Sequence, residues 1–171
     1  DEKKFQQLTK LIEAPKKSGT VPPFSKGLPD NAWLEYQDGE FRFRPPESEI
    51  DDPKASDGKT CKYQVPNNWL IQCDLPSDAS QQNNWYDVYV SVYCEGANPN
   101  QDAVAIQAGC YNNRTKRNLE TGGTYKDYVQ PDYQWMKVGR VNLCDPFTVW
   151  VLVKPNVTAY VDRIVIVKAQ P

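Results

Sequence analysis

Histidine is absent from the 171 residues of this chain, and that absence narrows the chemistry that the protein can perform. Histidine is the commonest general base, the commonest metal ligand and the usual partner of a nucleophilic serine or cysteine. A serine triad, a cysteine–histidine dyad and a histidine-ligated zinc site are therefore excluded. An enzyme that works with a pair of carboxylates is not.

Two classes of partner also lack their usual signatures in this sequence. Lys and Arg number 20 against 22 Asp and Glu, so there is no basic excess to bind nucleic acid through its phosphates. No apolar run approaches the roughly 20 residues of a membrane-spanning helix. No signal peptide is present, so we expect a mature product or a piece of something longer. The sequence predicts neither nucleic acid nor membrane as a partner.

The five cysteines lack the spacing of a zinc or redox motif, because no two of them form Cys-x-x-Cys. Cys73, Cys94 and Cys110 each share strand parity with apolar residues. That pattern favours buried thiols that pack as small hydrophobic groups. The alternative is a disulfide between neighbouring strands, for example Cys94 with Cys110. The odd number leaves at least one cysteine unpaired within the chain.

The beginning of the chain differs in pattern from the rest. Residues 1–14 place four apolar side chains at helical spacing and predict a short helix that ends at Pro15. Residues 15–31 are rich in proline, which is typical of a linker. The sequence therefore predicts a helix and Pro-rich linker over residues 1–31 and one β domain over residues 32–171.

The β domain is predicted from short segments of period-two apolar pattern with turn residues between them. Such a series is typical of an antiparallel, all-β sandwich. The candidate strands are 59–65, 69–75, 86–94, 103–111, 135–143, 147–153 and 160–168. The last two are apolar on both parities, which indicates central strands or strands covered on both faces. Asp38-Gly39 interrupts a further strand-like stretch and indicates a hairpin.

Aromatic residues make up 12% of the chain, more than a small core needs. Trp33, Trp69 and Trp150 lie within strand patterns and are predicted to be core, whereas Trp85 stands at a strand end, where either role is open. Segment 112–134 reads as a long loop, and loops of that length are usually functional or disordered. Its tyrosines argue against disorder.

Six segments, taken in order, resemble the successive strands of galactose-binding-like β-sandwiches, the jelly rolls of many carbohydrate-binding modules. They are DDPKASDGKT (51–60), NNWLIQCDLP (67–76), YDVYVSVYCEG (86–96), AVAIQAGCYN (103–112), YQWMKVGRVNL (133–143) and AYVDRIVIVKA (159–169). The pattern is also similar to the C-terminal accessory domain of α-glucuronidase-related proteins from gut polysaccharide-degrading bacteria. In those proteins a helix and a Pro-rich linker join the catalytic part to the sandwich, and residues 1–31 match that arrangement.

The resemblance implies a non-catalytic, carbohydrate-binding accessory domain of a larger secreted or periplasmic glycoside hydrolase-related protein. Its partners would be a carbohydrate and the catalytic domain of the same polypeptide. The candidate ligand-binding residues are Asn112, Arg114, Tyr125, Tyr128, Tyr133, Trp135 and Tyr160. The alternative is that the tyrosines of segment 112–134 pack that segment on the sheet, and that Trp135, at the start of a strand, belongs to the core. Tyr160 stands where the related modules often have Asn, and this departure argues against sugar binding at that position.

Two alternatives remain open at this point. One is a structural domain that braces a neighbouring catalytic domain without binding sugar. The other is a carboxylate-pair glycosidase, which needs two acids about 5–9 Å apart. The acidic cluster available for it is Glu47, Glu49, Asp51 and Asp52, although an acidic run in a loop is usually a solvated surface.

The resemblance also implies a structural calcium ion, held in the related modules by an acidic residue of the first strand and the Asp of the last. The matching positions are Glu35 and Asp162. Calcium takes about six to eight oxygen ligands, so two carboxylates would need backbone carbonyls beside them. The sequence leaves the metal open and predicts no other cofactor.

Overall fold

The computed structural model describes residues 19–42, 44, 46–69 and 71–169, which form two antiparallel sheets. The helix predicted over residues 1–14 lies outside the described residues. The strands are β1 (Trp33–Gln37), β2 (Glu49–Asp51), β3 (Lys59–Tyr63), β4 (Ile71–Asp74), β5 (Trp85–Glu95), β6 (Val104–Asn112), β7 (Arg117–Thr124), β8 (Gln134–Asn142), β9 (Phe147–Val153) and β10 (Thr158–Lys168). The helices are α1 (Tyr125–Tyr128) and 3₁₀ turns at Pro23–Ser25, Asp30–Ala32, Asp38–Glu40 and Pro46–Ser48. Within these residues no helix is long and apolar enough to cross a bilayer.

Strands β9 and β10 each occupy the middle of a sheet. The six-stranded sheet runs β2-β3-β10-β5-β8, with β1 paired to the second half of β10, and the four-stranded sheet runs β4-β9-β6-β7. From β4 to β10 the chain crosses repeatedly between the two sheets, as in a jelly roll. The predicted all-β sandwich and the central position of both doubly apolar strands are confirmed.

The main core lies between the two sheets and is built from alternate residues of each strand. Val88, Val90 and Val92 of β5 and Val149 and Val151 of β9 are fully buried in it. Because side chains alternate across a strand, the other parity of these strands reaches the outer faces of the sandwich.

A second apolar cluster covers the outer face of the six-stranded sheet. Trp33, Val165 and Val167 are buried there, and Phe24 and Leu28 of the segment before β1 pack on them. This cover explains why β10 is apolar on both parities. It also means that Phe24 and Leu28, which belong to the predicted linker, lie against the sandwich.

The prediction of a loop over 112–134 is wrong, because β7 and α1 lie inside that segment. β7 pairs with β6 along its length but has a mostly exposed, polar sequence without alternation. Gly123 is needed there, since a β-carbon at this position would lie 2.5 Å from the ring of Tyr128 and 2.6 Å from Met136. An edge strand of this kind leaves almost no apolar pattern in the sequence.

The predicted hairpin at Asp38-Gly39 is also wrong. β1 pairs with β10 instead of with the residues that follow it, and Asp38–Glu40 form a 3₁₀ turn. The turn is capped reciprocally, with the Gln37 backbone N–H donating to the Glu40 side chain at 3.1 Å. Turn chemistry marked the end of the strand correctly but could not identify its partner.

The prediction of buried thiols holds for four of the five cysteines. Cys61, Cys73, Cys94 and Cys110 are at most 1% exposed, and Cys144 is half-buried. All five are free, so the alternative disulfide between Cys94 and Cys110 is not formed. Those two residues lie on different sheets and pack as small apolar groups of the core.

Candidate functional site

The outer face of the four-stranded sheet presents its side chains in rows, because the strands pair in register. One row consists of Asp74, Thr148, Tyr111 and Asn118, and the next of Gln72, Trp150, Gly109 and Glu120. The alternate residues of β9 face the core, so these rows point away from it. The face combines two aromatic residues with several side chains that can hydrogen bond.

A groove with a volume of about 310 Å³ lies on this face. The residues that line it are Arg42, Trp69, Gln72, Tyr111, Asn113, Asn118, Thr148 and Trp150. Its size and its mixture of aromatic rings with a few polar groups are typical of a small-molecule site. We refer to it as the Trp69 groove.

Trp69 is 56% exposed at the rim of the groove, so its prediction as a core residue is wrong. The strand pattern put Trp69 on the parity of the buried Ile71 and Cys73. However, β4 begins only at Ile71, so the alternation of side chains along a strand does not extend to Trp69. Backbone contacts hold the preceding turn, since the Asn67 N–H donates to the Val153 carbonyl at 2.8 Å. The Gln72 amide donates to the Trp69 carbonyl at 2.8 Å.

Trp150 forms the floor of the groove and is 6% exposed. Its indole N–H donates to Asn118 Oδ1 at 3.0 Å, which sets the orientation of the ring. The ring centroids of Trp69 and Trp150 are 6.2 Å apart and their planes meet at 70°. The prediction that Trp150 is buried is right, but the ring lies on the outer face rather than between the sheets.

A chain of polar contacts runs beside the two rings. Arg42 forms an ion pair with Asp74 at 2.9 Å, and Thr148 donates to the same carboxylate at 2.6 Å. The Asn113 amide donates to the Thr148 hydroxyl at 3.0 Å. These side chains are held in place before any ligand arrives, and this preorganisation reduces the entropic cost of binding.

The groove continues past these polar residues along the direction of β4. A second depression of about 220 Å³ shares Arg42, Asn113 and Thr148 with the first and extends to Asp74 and Phe147. The two together form a trough that is aromatic at one end and polar at the other. This shape suits an elongated ligand better than a compact one.

The seven residues predicted from the resemblance lie in other places. Asn112 and Arg114 converge on Asp145, with Asn112 Nδ2 donating to it at 2.9 Å and Arg114 Nη2 at 3.0 Å. Arg114 keeps the pKa of the Asp145 carboxyl below its usual range. Arg114 lines a depression of about 550 Å³, but no aromatic ring lines that depression.

Tyr133 and Tyr160 join Tyr93 on the outer face of the six-stranded sheet. Tyr160 stacks on Tyr93 with ring centroids 4.5 Å apart, and Tyr133 meets Tyr93 edge-on at 4.8 Å. The hydroxyls of Tyr93 and Tyr133 both donate to Asp52 Oδ2, at 3.3 and 3.0 Å. Burial is the main cause that raises the pKa of Tyr160 to about 12.

The remaining three predicted residues are packed against the protein itself. Tyr125 is 5% exposed and belongs to the main core, and Tyr128 packs against that core. Trp135 is half-buried beneath the ring of Phe24, 4.9 Å away. None of the seven lines the Trp69 groove, and their role in binding stays a prediction.

The acidic cluster weighed for a carboxylate-pair enzyme does not line any of these depressions. Glu47, Glu49 and Asp51 are exposed, whereas Asp52 is buried under the two tyrosines that donate to it. Within the described residues, no three His, Cys, Asp or Glu side chains converge as a metal site would require.

Glu35 and Asp162, the pair that the resemblance assigns to calcium, do not fit that role. Both side chains are buried, but Arg163 Nη1 lies 2.9 Å from Glu35 Oε2, and Arg163 Nε lies 3.8 Å from Asp162 Oδ2. The backbone N–H and the hydroxyl of Ser56 donate to Asp162, each at 3.0 Å. Burial raises the pKa of Asp162 to about 6. A guanidinium already lies against both carboxylates.

Comparison with known proteins supports the fold. Neither a protein-family model nor a curated protein sequence matches this chain. The two-module structure of Clostridium thermocellum endo-1,4-β-D-xylanase 10B, a CBM22-1 module with a GH10 module, matches with a TM-score of 0.50 at 9% identity, over 81% of this chain and 26% of that one. The Bacillus thuringiensis insecticidal crystal protein Cry7Ca1 matches at 0.48 with 13% identity, over 81% and 23%. The C-terminal CBM6 of LamC from Zobellia galactanivorans matches at 0.43 with 11% identity, over 80% and 99%.

This chain spans about a quarter of the length of the first two of these structures. At 9% identity, the likeness to the xylanase structure shows a shared fold. The fold that the sequence resemblance implied, the β-sandwich of carbohydrate-binding modules, is therefore confirmed.

Proposed function

We propose that the Trp69 groove binds a neutral carbohydrate chain. The observation that carries this proposal is the half-exposed indole of Trp69, standing at the rim of a groove whose polar side chains are already oriented. A depression lined by aromatic rings and a few oriented polar groups is typical of a ligand site.

Sugar rings have an apolar C–H face and a polar rim of hydroxyls, and the groove offers a partner for each. The exposed face of Trp69 stacks on the C–H face. Gln72, Asn113 and Asn118 carry amides that donate to and accept from hydroxyl groups. Arg42 and Asp74 neutralise each other as an ion pair, which favours an uncharged glycan over a uronate or a sulfated one.

The angle between the two indole rings further narrows the class of carbohydrate that the groove can bind. With planes at 70°, Trp69 and Trp150 do not make a flat platform of the kind that lies on a crystalline surface. A corner of this shape fits a single glycan chain in solution or in amorphous material. The polar extension of the groove past Thr148 supplies a second subsite.

The domain itself, in this proposal, is a non-catalytic accessory to a larger secreted or periplasmic glycoside hydrolase-related protein. Support comes from the absence of histidine and from the position of the acidic cluster away from the groove. The similar xylanase structure contains a binding module and a catalytic module in one chain, in complex with xylohexaose. Xylan-type chains are therefore the first ligands to try.

Isothermal titration with xylohexaose, cellohexaose and mannohexaose, together with a glycan array, tests the proposal. We expect binding to at least one neutral oligosaccharide and a loss of at least about tenfold in Trp69→Ala. Trp85→Ala is the matched control, because Trp85 is 45% exposed but lies at the start of β5, outside the groove. It should bind as the unaltered protein does.

Three results would contradict the proposal. The unaltered protein could bind no glycan, or Trp69→Ala could bind with full affinity. A preference for acidic polysaccharides with strong salt dependence would show that the Arg42–Asp74 pair does not set the charge of the ligand.

A bracing role is the second candidate, and the segment before β1 favours it. Phe24 stacks on Tyr89 with centroids 3.9 Å apart and planes at 15°, and Leu28 packs on the same cluster. A segment packed in this way would fix the junction with a neighbouring domain against the six-stranded sheet. The face that it covers is opposite to the Trp69 groove, so bracing and sugar binding are compatible.

A further inference from the structure

The buried charges between β1 and β10 form a closed cluster that the proposed function does not use. Glu35, Asp162 and Arg163 have side chains only 2–3% exposed. Arg163 Nη2 also reaches the Thr20 hydroxyl at 3.4 Å, and the Gly19 N–H donates to Glu35 Oε1 at 3.1 Å. The cluster therefore ties the first and last strands to the segment that precedes them.

Several polar groups converge on one point of this cluster. A β-carbon on Gly19 would lie 2.6 Å from Ser56 Oγ, 2.7 Å from Arg163 Nη1 and 2.8 Å from Gln37 Nε2. Gln37 pairs with Arg163 in the strand register and is 7% exposed. Among the described residues, its Oε1 has no hydrogen-bond donor.

We infer that the Arg163 guanidinium is the resident cation of this cluster, between the two carboxylates for which the sequence resemblance implied a calcium ion. It supplies positive charge to two carboxylates that are otherwise cut off from water. Removing one partner of a buried ion pair leaves an uncompensated charge, which is strongly destabilising. The fold is consequently independent of calcium.

Removal of the Arg163 guanidinium should turn the cluster into a site for another cation. The space left by Arg163 is bordered by oxygens of Glu35, Asp162 and Thr20, with Ser56 Oγ beside Asp162. The ring of Trp135 closes another side, since its centroid lies 5.1 Å from Arg163 Cζ. Hard cations such as calcium bind through carboxylate and hydroxyl oxygens of this kind. A variant without the positive charge should therefore bind a divalent cation that the unaltered protein does not need.

Thermal melting in EDTA and in millimolar CaCl₂ tests the inference on three proteins. The unaltered chain should have the same Tm in both. Arg163→Gln should melt about 10 °C lower in EDTA, and calcium should restore roughly half of that loss or more. Arg163→Lys retains a positive charge, so it should lose less than Arg163→Gln and should not respond to calcium.

A matched control distinguishes the loss of Arg163 from the loss of an arginine in an exposed ion pair. Arg140 forms an ion pair with Asp87 but is 49% exposed, so Arg140→Gln should change Tm little and without calcium dependence. The double variant Glu35→Gln/Arg163→Gln has one carboxylate fewer and should lose the calcium response.

Two results would overturn the inference. A rise in the Tm of the unaltered protein with calcium would show that Arg163 does not occupy the cation position. Failure of calcium to raise either the Tm or the folded yield of Arg163→Gln would show that the carboxylates form no cation site once the guanidinium is gone.

Discussion

The indole of Trp150 lies in the space that a side chain on Gly109 would fill. The two residues face each other across β9 and β6, and a β-carbon on Gly109 would lie 2.4 Å from Cζ2 of the ring. A glycine in the middle of a strand normally weakens it. Here the absence of a side chain lets the indole lie flat on the sheet and form the floor of the Trp69 groove.

Gly109→Ala should therefore damage the groove more than it damages the fold. The added methyl group displaces the Trp150 ring, with a cost of about 1–3 kcal/mol in stability and a loss of glycan affinity that resembles that of Trp69→Ala. Tryptophan fluorescence, denaturation and titration measure the three effects. Gly122→Ala is the control, because a β-carbon there would approach only the Val104 side chain, at 3.3 Å. If Gly109→Ala bound glycan with unchanged affinity, the Trp150 floor of the groove would have no role in binding.

The raised pKa of Asp38 should make the free energy of unfolding depend on pH. Burial, together with Glu49 and Asp57, raises its pKa to about 7, whereas an unfolded Asp titrates near about 4. A raised pKa favours folding at acidic pH, and that contribution is lost as the pH rises from about 4 through about 7.

Asp38→Asn removes this titration, so the variant should lose less unfolding free energy between pH 5 and pH 8 than the unaltered protein. We expect the difference to be of the order of 1–3 kcal/mol. Urea denaturation at the two pH values measures it, with the exposed Glu47→Gln as the control. Parallel stability curves for Asp38→Asn and the unaltered protein would contradict the prediction.

Because Phe24 packs on the six-stranded sheet, we expect the segment before β1 to contribute to stability. Phe24→Ala removes the parallel stack on Tyr89 and the edge contact with Trp135, and should cost about 1–2 kcal/mol. Val21→Ala should change stability by less than about 0.5 kcal/mol, since Val21 is 62% exposed. Equal stability of the two variants would show that the segment is a loose linker.

The cysteines predict a simple labelling pattern. Burial raises the pKa of Cys61, Cys94 and Cys110 to about 12, and it also raises the pKa of Cys73. These thiols should not react with a disulfide reagent in the native protein, because the thiolate is the reactive form. Cys144 is the half-buried one. Titration should find one reactive thiol in the native state and five in denaturant, and rapid reaction of more than one native thiol would be inconsistent with this structure.

The fold followed from the sequence because most strands carry their own apolar pattern. β5, β6, β9 and β10 were predicted to within about two residues, since one or both faces of each are buried. β7 was missed because its mostly exposed residues leave no alternation. The pairing of β1 with β10 was missed because the two strands are far apart in the chain.

The candidate groove was harder to predict than the fold. Trp69 and Trp150 both appeared to be core residues, because a strand pattern cannot distinguish the face between two sheets from an outer face with its own apolar residues. The signal that could have located the groove was the second apolar parity of β9 together with Gly109 in the neighbouring strand.

By itself, the sequence determined most of the strands, the burial of Cys73, Cys94 and Cys110, and the exclusion of histidine chemistry. These are local properties of composition and alternation. The tertiary structure alone decided which tryptophans meet at the groove and which charges meet Arg163. Both depend on strand register, and register is set by packing between segments as far apart in the chain as Glu35 and Arg163.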